Sequence, residues 1–249
     1  MFTFPFGPRP VRLALAFVAA FVALTIGQLS VELLQDYLQP LSLFRNVDSM
    51  LFLEVFSTLG YVVGFGAAAA TLWAFTERGQ SFSNAIGLRI SDLKERKWKL
   101  LGTGVLCFLG IIALTNVIYT VFSLPTPQSP AGDEAKLLTG TAFGLFVFTA
   151  CVLAPLFEET VFRGLLQNML RGVFRGKSTQ ALWLRDVAAI VVTAAIFAAA
   201  HGTATGFPVL FISGLMMGIA YWRTGSLWAS ITVHFLNNLV ATLALAYGS

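Results

Sequence analysis

The 249-residue sequence predicts an all-α fold, a polytopic transmembrane bundle of about seven to eight helices with a polar site inside it. Hydrophobic residues make up 57% of the chain and charged residues 11%, whereas charged residues account for about a quarter of a soluble domain. The mean hydropathy is +0.78, and apolar runs of about 20 residues, the length that crosses a bilayer, recur along the chain. No repeat or soluble domain interrupts them, so we expect one integral membrane domain over residues 1–249.

Seven apolar runs are long enough to be membrane spans. In chain order they are Val11–Leu29, 51–76, 100–122, 141–170, 186–202, 207–222 and 226–247. The first run is longer than the hydrophobic region of a signal peptide and has no clear cleavage site, so we interpret it as a span. Prolines in residues 1–10 predict a short extended tail before it. A short helix around Leu38–Val47, or a split of 137–172, would change the count.

Positive charges alternate between the loops that connect these spans. They collect in the second loop, the fourth loop and the turn between spans six and seven, as Arg78, Arg89, Lys94, Arg96, Lys97, Lys99, Arg171, Arg175, Lys177, Arg185 and Arg223. Arg45 and Lys136 alone fall on the opposite side, together with Glu32, Asp36, Asp48, Asp133 and Glu134. Because cytoplasmic loops retain Lys and Arg, this pattern predicts a cytoplasmic N-terminus and an external C-terminus. We expect the plasma membrane of a prokaryote.

The remaining composition excludes several classes of partner and site. The net charge of +4 is distributed as expected for membrane loops and indicates no nucleic-acid partner. Cys107 and Cys151 lie in apolar runs without a second nearby cysteine or histidine. The sequence therefore predicts neither a disulfide framework nor a thiolate metal site. It does not specify an oligomeric state.

Two adjacent carboxylates and an arginine lie within the fourth apolar run, in the segment Ala154–Gly164. An ionised side chain at mid-bilayer costs about 2.5–3.5 kcal/mol even on lenient insertion scales, so these residues require partners, water or a function. Glu158 and Glu159 point about 100° apart on a helix and therefore need different roles. Glu159 and Arg163 are four residues apart and can form an ion pair, which leaves Glu158 free. Pro155 weakens the helix and opens room for water.

The chain has two histidines, and both lie in predicted spans. His234 and Asn238 share one helical face, while His201 follows Phe197 by four residues in another span. Either histidine alone is explained by an interhelical hydrogen bond worth about 0.6–2 kcal/mol. Helix packing does not require the whole set, so we predict one site built from Glu158, His201, His234 and Asn238.

The order of three short motifs resembles the CAAX protease and bacteriocin-processing family of intramembrane proteases, also called the abortive-infection family. The motifs are EExxxR at Glu158–Arg163, FxxxH at Phe197–His201 and HxxxN at His234–Asn238. Each motif is weak alone, but the three in this order use both histidines of the chain. The resemblance covers about 137–246, and all its motif positions are filled. It implies an endopeptidase whose substrate is a peptide cleaved near a lipidated or membrane-embedded C-terminus.

The side chains themselves favour hydrolysis. A carboxylate and an imidazole can hold and deprotonate a water, which predicts Glu158 as general base with His201 orienting the same water. A second imidazole and an amide can stabilise the developing oxyanion, the role predicted for His234 and Asn238. Glu159, Arg163 and Phe197 are supporting residues. The expected partners are a peptide or lipidated protein substrate and the lipid bilayer.

A zinc site is the competing mechanism. Two histidines and one glutamate, as Glu158, His201 and His234, would supply three ligands, with water in the open fourth position. Against zinc, the sequence lacks HExxH spacing, and Asn238 would have no role. We therefore expect no cofactor.

Two other classes of protein fit part of the pattern. A proton-coupled transporter would use intramembrane Glu and His residues as a relay, but it predicts inverted repeats, which the sequence lacks. A non-catalytic scaffold or immunity protein would keep the polar residues only to hold its helices together. The enzyme interpretation requires spans four, five and seven to be neighbours, with span four reaching about Leu170. Glu54, near the outer end of span two, receives no catalytic role.

Overall fold

The fold is all-helical over the residues that the computed structural model describes, 10–40, 48–75, 81–124, 136–173, 178–201 and 206–247. No strand occurs in these ranges. The helices are α1 (Pro10–Leu38), α2 (Ser49–Phe75), α3 (Phe82–Ile86), α4 (Ile90–Glu95), α5 (Lys97–Val121), α6 (Gly140–Val173), α7 (Thr179–Ala200), α8 (Phe207–Thr224) and α9 (Leu227–Tyr247). The predicted all-α bundle is confirmed.

Six of the described helices are long and apolar enough to cross a membrane by length and composition: α1, α2, α5, α6, α7 and α9. The protein is an integral membrane protein. The predicted sixth span is the helix α8, which has 18 residues and Arg223 in its last turn and falls outside this group. Helix α6 is continuous, so the alternative split of 137–172 is wrong. The tail at residues 1–9 and most of the proposed helix Leu38–Val47 lie outside the described residues.

Helix α6 occupies the centre of the bundle. It contacts α1, α2, α3, α7, α8 and α9, while α5 packs against α8 and α9 on one side and α1 pairs with α2 on the other. The prediction that span four neighbours spans five and seven is confirmed, and α6 extends past Leu170 to Val173. The polar residues of α6 are therefore surrounded by helices on several sides.

Helix α6 is irregular because it contains two π-helical segments, Thr149–Leu153 and Thr160–Gln167. In a π-helix the N–H of residue i donates to the carbonyl of residue i−5, so the N–H of residue 155 would donate to the carbonyl of Ala150. Pro155 has no N–H to donate. The side-chain amide of Asn238 on α9 donates to the Ala150 carbonyl instead, with an N–O distance of 2.7 Å. The irregular backbone thus gives α9 a fixed attachment point on α6.

Most of the described basic residues cluster at one end of the bundle, where α5 and α7 begin and α6 and α8 end, whereas Lys136 precedes the start of α6 at the other end. Asp186 of α7 accepts hydrogen bonds there from Arg171 of α6, at 2.9 Å, and from the indole of Trp222 of α8, also at 2.9 Å. Several loop charges used for the predicted orientation lie outside the described residues: Arg45, Arg78, Asp133, Glu134, Arg175 and Lys177. The orientation of the N-terminus stays a prediction.

The segment between the second and third predicted spans packs against the bundle. The backbone N–H of Leu227 donates to the Gly87 carbonyl at 2.9 Å, and the Tyr221 hydroxyl donates to the Ile86 carbonyl at 3.0 Å. Gly87 has a φ of +83°, which an L side chain rarely adopts. Helices α3 and α4 therefore form a folded connection that helps to fix the start of α9.

Gly214 and Gly218 allow α7 and α8 to approach closely. A Cβ atom added to Gly214 would lie 2.9 Å from the Cα of Ala194, and one added to Gly218 would lie 3.0 Å from Cγ2 of Ile190. The GxxxG spacing of α8 thus serves packing within the chain.

We predict that Gly214→Ala lowers the thermal midpoint of the purified protein in detergent. The added methyl group would force α7 and α8 apart, and overpacking of this kind costs about 1–3 kcal/mol. The matched control is Gly102→Ala on α5, where no atom lies within 4 Å of the added Cβ. An equal midpoint for the two variants would contradict the close contact.

Candidate active site

The four predicted site residues line one cavity of about 420 Å³ between α2, α6, α7, α8 and α9. Glu158 comes from α6, His201 from the residue that follows α7, and His234 with Asn238 from one face of α9. Phe197 also lines this cavity. We call it the catalytic cavity, after the role that the sequence analysis predicts for these residues.

Glu158 lies between the two imidazole rings. Its Oε2 atom is 3.8 Å from Nε2 of His201 and 3.9 Å from Nε2 of His234. This oxygen is buried and accepts no hydrogen bond from the described part of the chain. The separations exceed a direct hydrogen bond but suit a single water bonded to the carboxylate and an imidazole. The prediction that Glu158 stays outside the ion pair is confirmed.

Each imidazole is oriented through its other ring nitrogen. Nδ1 of His201 lies 2.8 Å from the Phe197 carbonyl oxygen, and Nδ1 of His234 lies 3.0 Å from Oε1 of Glu159. A carbonyl and a carboxylate are acceptors, so both Nδ1 atoms carry a proton. In the neutral rings, each Nε2 then presents its lone pair toward Glu158. His201 lies just past the last residue of α7 rather than inside the helix, and its side chain is 34% exposed.

Glu159 and Arg163 form the predicted ion pair behind the catalytic cavity. The distance from Nη1 of Arg163 to Oε1 of Glu159 is 2.8 Å, and both side chains are 0% exposed. Nη2 of Arg163 donates to the Gly214 carbonyl at 3.1 Å. The guanidinium also lies 4.8 Å from the ring centre of Phe197. The ring of Phe197 in turn packs edge-on against the ring of His234, with the two ring centres 5.9 Å apart. The pair therefore contacts the residues that orient both imidazole rings, Phe197 for His201 and Glu159 itself for His234.

Asn238 has a contact that the sequence did not predict. Its amide nitrogen donates one hydrogen to the Ala150 carbonyl, as described above. An amide nitrogen carries two hydrogens, so one remains for a group in the cavity that Asn238 lines. The contact with α6 fixes the direction of this second hydrogen.

The chemistry of the donor set also suits zinc. Two imidazole Nε2 atoms and a carboxylate oxygen face one another, each histidine is held through Nδ1, and such outer contacts are typical of zinc ligands. Within the described residues, however, no group of three or more His, Cys, Asp or Glu side chains has the arrangement of a metal site. Residues Glu158, His201 and His234 are the ones that would hold the ion.

Sequence reasoning did not place in the site a group of polar residues that line the catalytic cavity, and it gave one of them, Glu54, no catalytic role. They lie on α2, α8 and α9, as Glu54, Ser57, Tyr61, Ser213, Asn237 and Thr242. The hydroxyl of Ser213 is buried and has no hydrogen-bond partner in the described chain. The spacing of Glu54, Ser57 and Tyr61 at i, i+3 and i+7 places them on one helical face and was the available signal.

We predict that Arg163→Ala strongly lowers stability. The substitution leaves the carboxylate of Glu159 buried without its main partner, which costs about 3–5 kcal/mol. The thermal midpoint in detergent measures the loss. Arg223→Ala removes an exposed arginine from the end of α8 and serves as the control, with an expected change within about 0.5 kcal/mol.

The double substitution Glu159→Leu with Arg163→Met separates charge from packing. Replacing a whole buried pair by apolar side chains is often neutral or stabilising. We therefore expect the thermal midpoint of the double variant to lie well above that of Arg163→Ala and near that of the wild type. A double variant no more stable than Arg163→Ala would show that the side-chain shapes, rather than the paired charges, determine stability here.

Comparison with known proteins agrees with the resemblance stated above. Residues 140–240 match the family model described as type II CAAX prenyl endopeptidase Rce1-like. The membrane-embedded CAAX protease MroQ of Staphylococcus aureus (strain USA300) is 28% identical over 152 residues, which are 59% of this chain and 59% of that protein. An uncharacterized 24.3 kDa protein of Escherichia coli is 34% identical over 107 residues, 42% of this chain and 44% of that one. No solved structure matches significantly.

The chain thus spans less than two thirds of the length of either relative. The matching region nevertheless begins with the first residue of α6 and includes Glu158, His201, His234 and Asn238. Through residues 140–240, the chain is therefore similar to the Rce1-like family of CAAX prenyl endopeptidases.

Proposed function

We propose that this protein is an intramembrane endopeptidase that hydrolyses a peptide bond near the membrane, with C-terminal CAAX-type processing of lipidated proteins as the candidate reaction. One observation carries the proposal: the Oε2 atom of Glu158 and the Nε2 atoms of His201 and His234 face one another across 3.8–3.9 Å in a cavity enclosed by helices. The match of residues 140–240 to the Rce1-like family model supports the same reaction class.

Hydrolysis begins with a water held between Glu158 and His201. The water donates one hydrogen to the carboxylate and the other to Nε2 of His201, which leaves an oxygen lone pair for the substrate carbonyl carbon. Glu158 accepts the proton as the new carbon–oxygen bond forms. It then gives this proton to the leaving amine as the carbon–nitrogen bond breaks. The products are a carboxylic acid and an amine, and Glu158 returns to its ionised form.

The oxyanion is stabilised by His234 and Asn238. Asn238 supplies the amide hydrogen that Ala150 does not use. His234 can donate from Nε2 only as an imidazolium, since Nδ1 already carries a proton toward Glu159. Hydrogen-bond donors that are held in position before the reaction, in a cavity with little water, lower the energy of the transition state substantially.

A zinc-dependent form of the same protease is the second candidate, favoured by the two imidazole lone pairs that face one carboxylate. Glu158, His201 and His234 would bind the ion, which would polarise a bound water when present. The transporter and scaffold interpretations use the same residues without cleavage. In each case the N-terminus is proposed to be cytoplasmic, in the plasma membrane of a prokaryote.

We predict that the purified protein cleaves quenched peptides and that Glu158→Gln abolishes the cleavage. One peptide set is prenylated at a C-terminal CAAX box, and the other is unmodified. Loss of the general base should lower the rate by about 10²–10⁴-fold. The matched control is Glu95→Gln, which removes an exposed carboxylate outside the catalytic cavity. Cleavage unchanged in Glu158→Gln, or no cleavage by a folded protein, would contradict the proposal.

A chelator distinguishes the two mechanisms. We expect cleavage to continue after prolonged treatment with a strong zinc chelator, because the carboxylate and imidazoles suffice to activate water. Loss of activity that added zinc restores would replace the metal-free mechanism with the zinc-dependent one. The metal content of the purified protein, measured in the same samples, checks that the treatment removed any bound ion.

A further inference from the structure

The hydroxyl of Ser213 is a buried polar group in the wall of the catalytic cavity. Helix α8 contributes Leu210, Ser213 and Met217 to the cavity lining, at positions i, i+3 and i+7 of one face. Ser213 is 1% exposed, and its oxygen has no hydrogen-bond partner within the described chain. A buried hydroxyl of this kind costs free energy in the folded protein unless another molecule supplies the missing partner.

Other hydroxyls on the helices avoid this cost by bonding their own backbone. Serine and threonine side chains on several described helices donate to the carbonyl four residues earlier: Thr25, Ser30, Thr71, Thr160, Thr224 and Thr232. The equivalent acceptor for Ser213 is the carbonyl of Val209, and the described chain does not have this bond. The hydroxyl is therefore available to a group that enters the cavity.

The backbone that carries Ser213 is held by two neighbouring helices. The carbonyl of the next residue, Gly214, accepts a hydrogen bond from Arg163 of α6 at 3.1 Å. A Cβ atom added to Gly214 would lie 2.9 Å from the Cα of Ala194, so α7 and α8 touch at this point. A serine hydroxyl has three staggered positions about the Cα–Cβ bond. Ser213 can therefore turn its hydroxyl toward a bound molecule while its backbone stays in place.

The proposed catalytic residues offer mainly acceptors to a bound peptide. The carboxylate of Glu158 accepts hydrogen bonds, and so does Nε2 of His201 and of His234 in the neutral rings, because Nδ1 carries the proton. Asn238 has one amide hydrogen left, which the proposed mechanism uses for the oxyanion. A bound peptide also presents the carbonyl oxygens on either side of the scissile unit, and each of them is an acceptor. The hydroxyl of Ser213 is a donor that suits such a carbonyl.

We propose that Ser213 is a substrate-binding residue whose hydroxyl donates a hydrogen bond to a backbone carbonyl of the peptide, in a peptide unit next to the scissile one. The proposal rests on the proposed protease function. The bound peptide supplies the partner that the hydroxyl lacks in the described chain. Because every peptide has backbone carbonyls, this contact positions the substrate without selecting its side chains.

The first test compares activity with stability. Ser213→Ala should lower kcat/KM for the peptides of the cleavage assay about 3–10-fold, the effect of one neutral hydrogen bond. The thermal midpoint of the substrate-free protein should stay equal or rise, because the hydroxyl has no partner there to lose. The matched control is Thr193→Val on α7, since Thr193 is also 1% exposed with its hydroxyl unbonded in the described chain, but lies outside the cavity lining. Its kcat/KM should not change. A lower midpoint with unchanged kcat/KM in Ser213→Ala would overturn the proposal.

The second test identifies the bonded peptide unit. In a series of peptides, one peptide bond at a time, other than the scissile one, is replaced by an alkene isostere that has no carbonyl oxygen. We expect the ratio of kcat/KM in the wild type to that in Ser213→Ala to fall to about one for an isostere next to the scissile bond, and to keep its full value for the distant ones.

The pattern of these ratios separates the two proposals. Equal ratios for every isostere would overturn the role of Ser213 while leaving the protease function intact, because a hydroxyl that acts on water or on the fold does not distinguish one substrate carbonyl from another. If the folded wild type does not cleave even the parent peptide, the proposed function fails and the role of Ser213 fails with it.

Discussion

The buried ion pair between Glu159 and Arg163 is the interaction on which the site depends. It lies wholly inside the bundle and connects four helices, because Arg163 of α6 also bonds the Gly214 carbonyl of α8 and faces Phe197 of α7, while Glu159 contacts His234 of α9. Two charges buried together have little tolerance for displacement. The position of His234 is therefore set by a pair that does not line the catalytic cavity.

The irregular course of α6 has a complementary role. A regular α-helix satisfies its own carbonyls and offers neighbours only side chains. The π segment with Pro155 leaves the Ala150 carbonyl available, and Asn238 bonds it at 2.7 Å. Helix α6 thus holds His234 through the carboxylate of Glu159 and Asn238 through the backbone carbonyl of Ala150. Both residues on one face of α9 therefore become fixed relative to α6, which carries Glu158.

The helices and the ion pair were predictable because they depend on local sequence. Apolar runs fix the spans, and a spacing of four residues fixes the Glu159–Arg163 contact. The partner of Asn238 was not predictable, since it depends on where α9 meets a π segment of α6. Tertiary packing likewise determines that His201 lies beyond the end of α7 and that Glu54 lines the catalytic cavity. Hydrophobicity alone did not reveal that residues 82–95 fold against the bundle.

The residues proposed to break the peptide bond and part of the cavity lining come from different parts of the chain. The residues proposed to break the peptide bond all lie within 140–240, the region shared with the family, whereas α1 and α2 lie outside it. Yet Glu54, Ser57 and Tyr61 of α2 line the catalytic cavity itself, so the cavity around Glu158 includes a surface that lies outside the matched region. Variation in α1 and α2 can therefore change which peptide is bound while the groups that activate water stay in place.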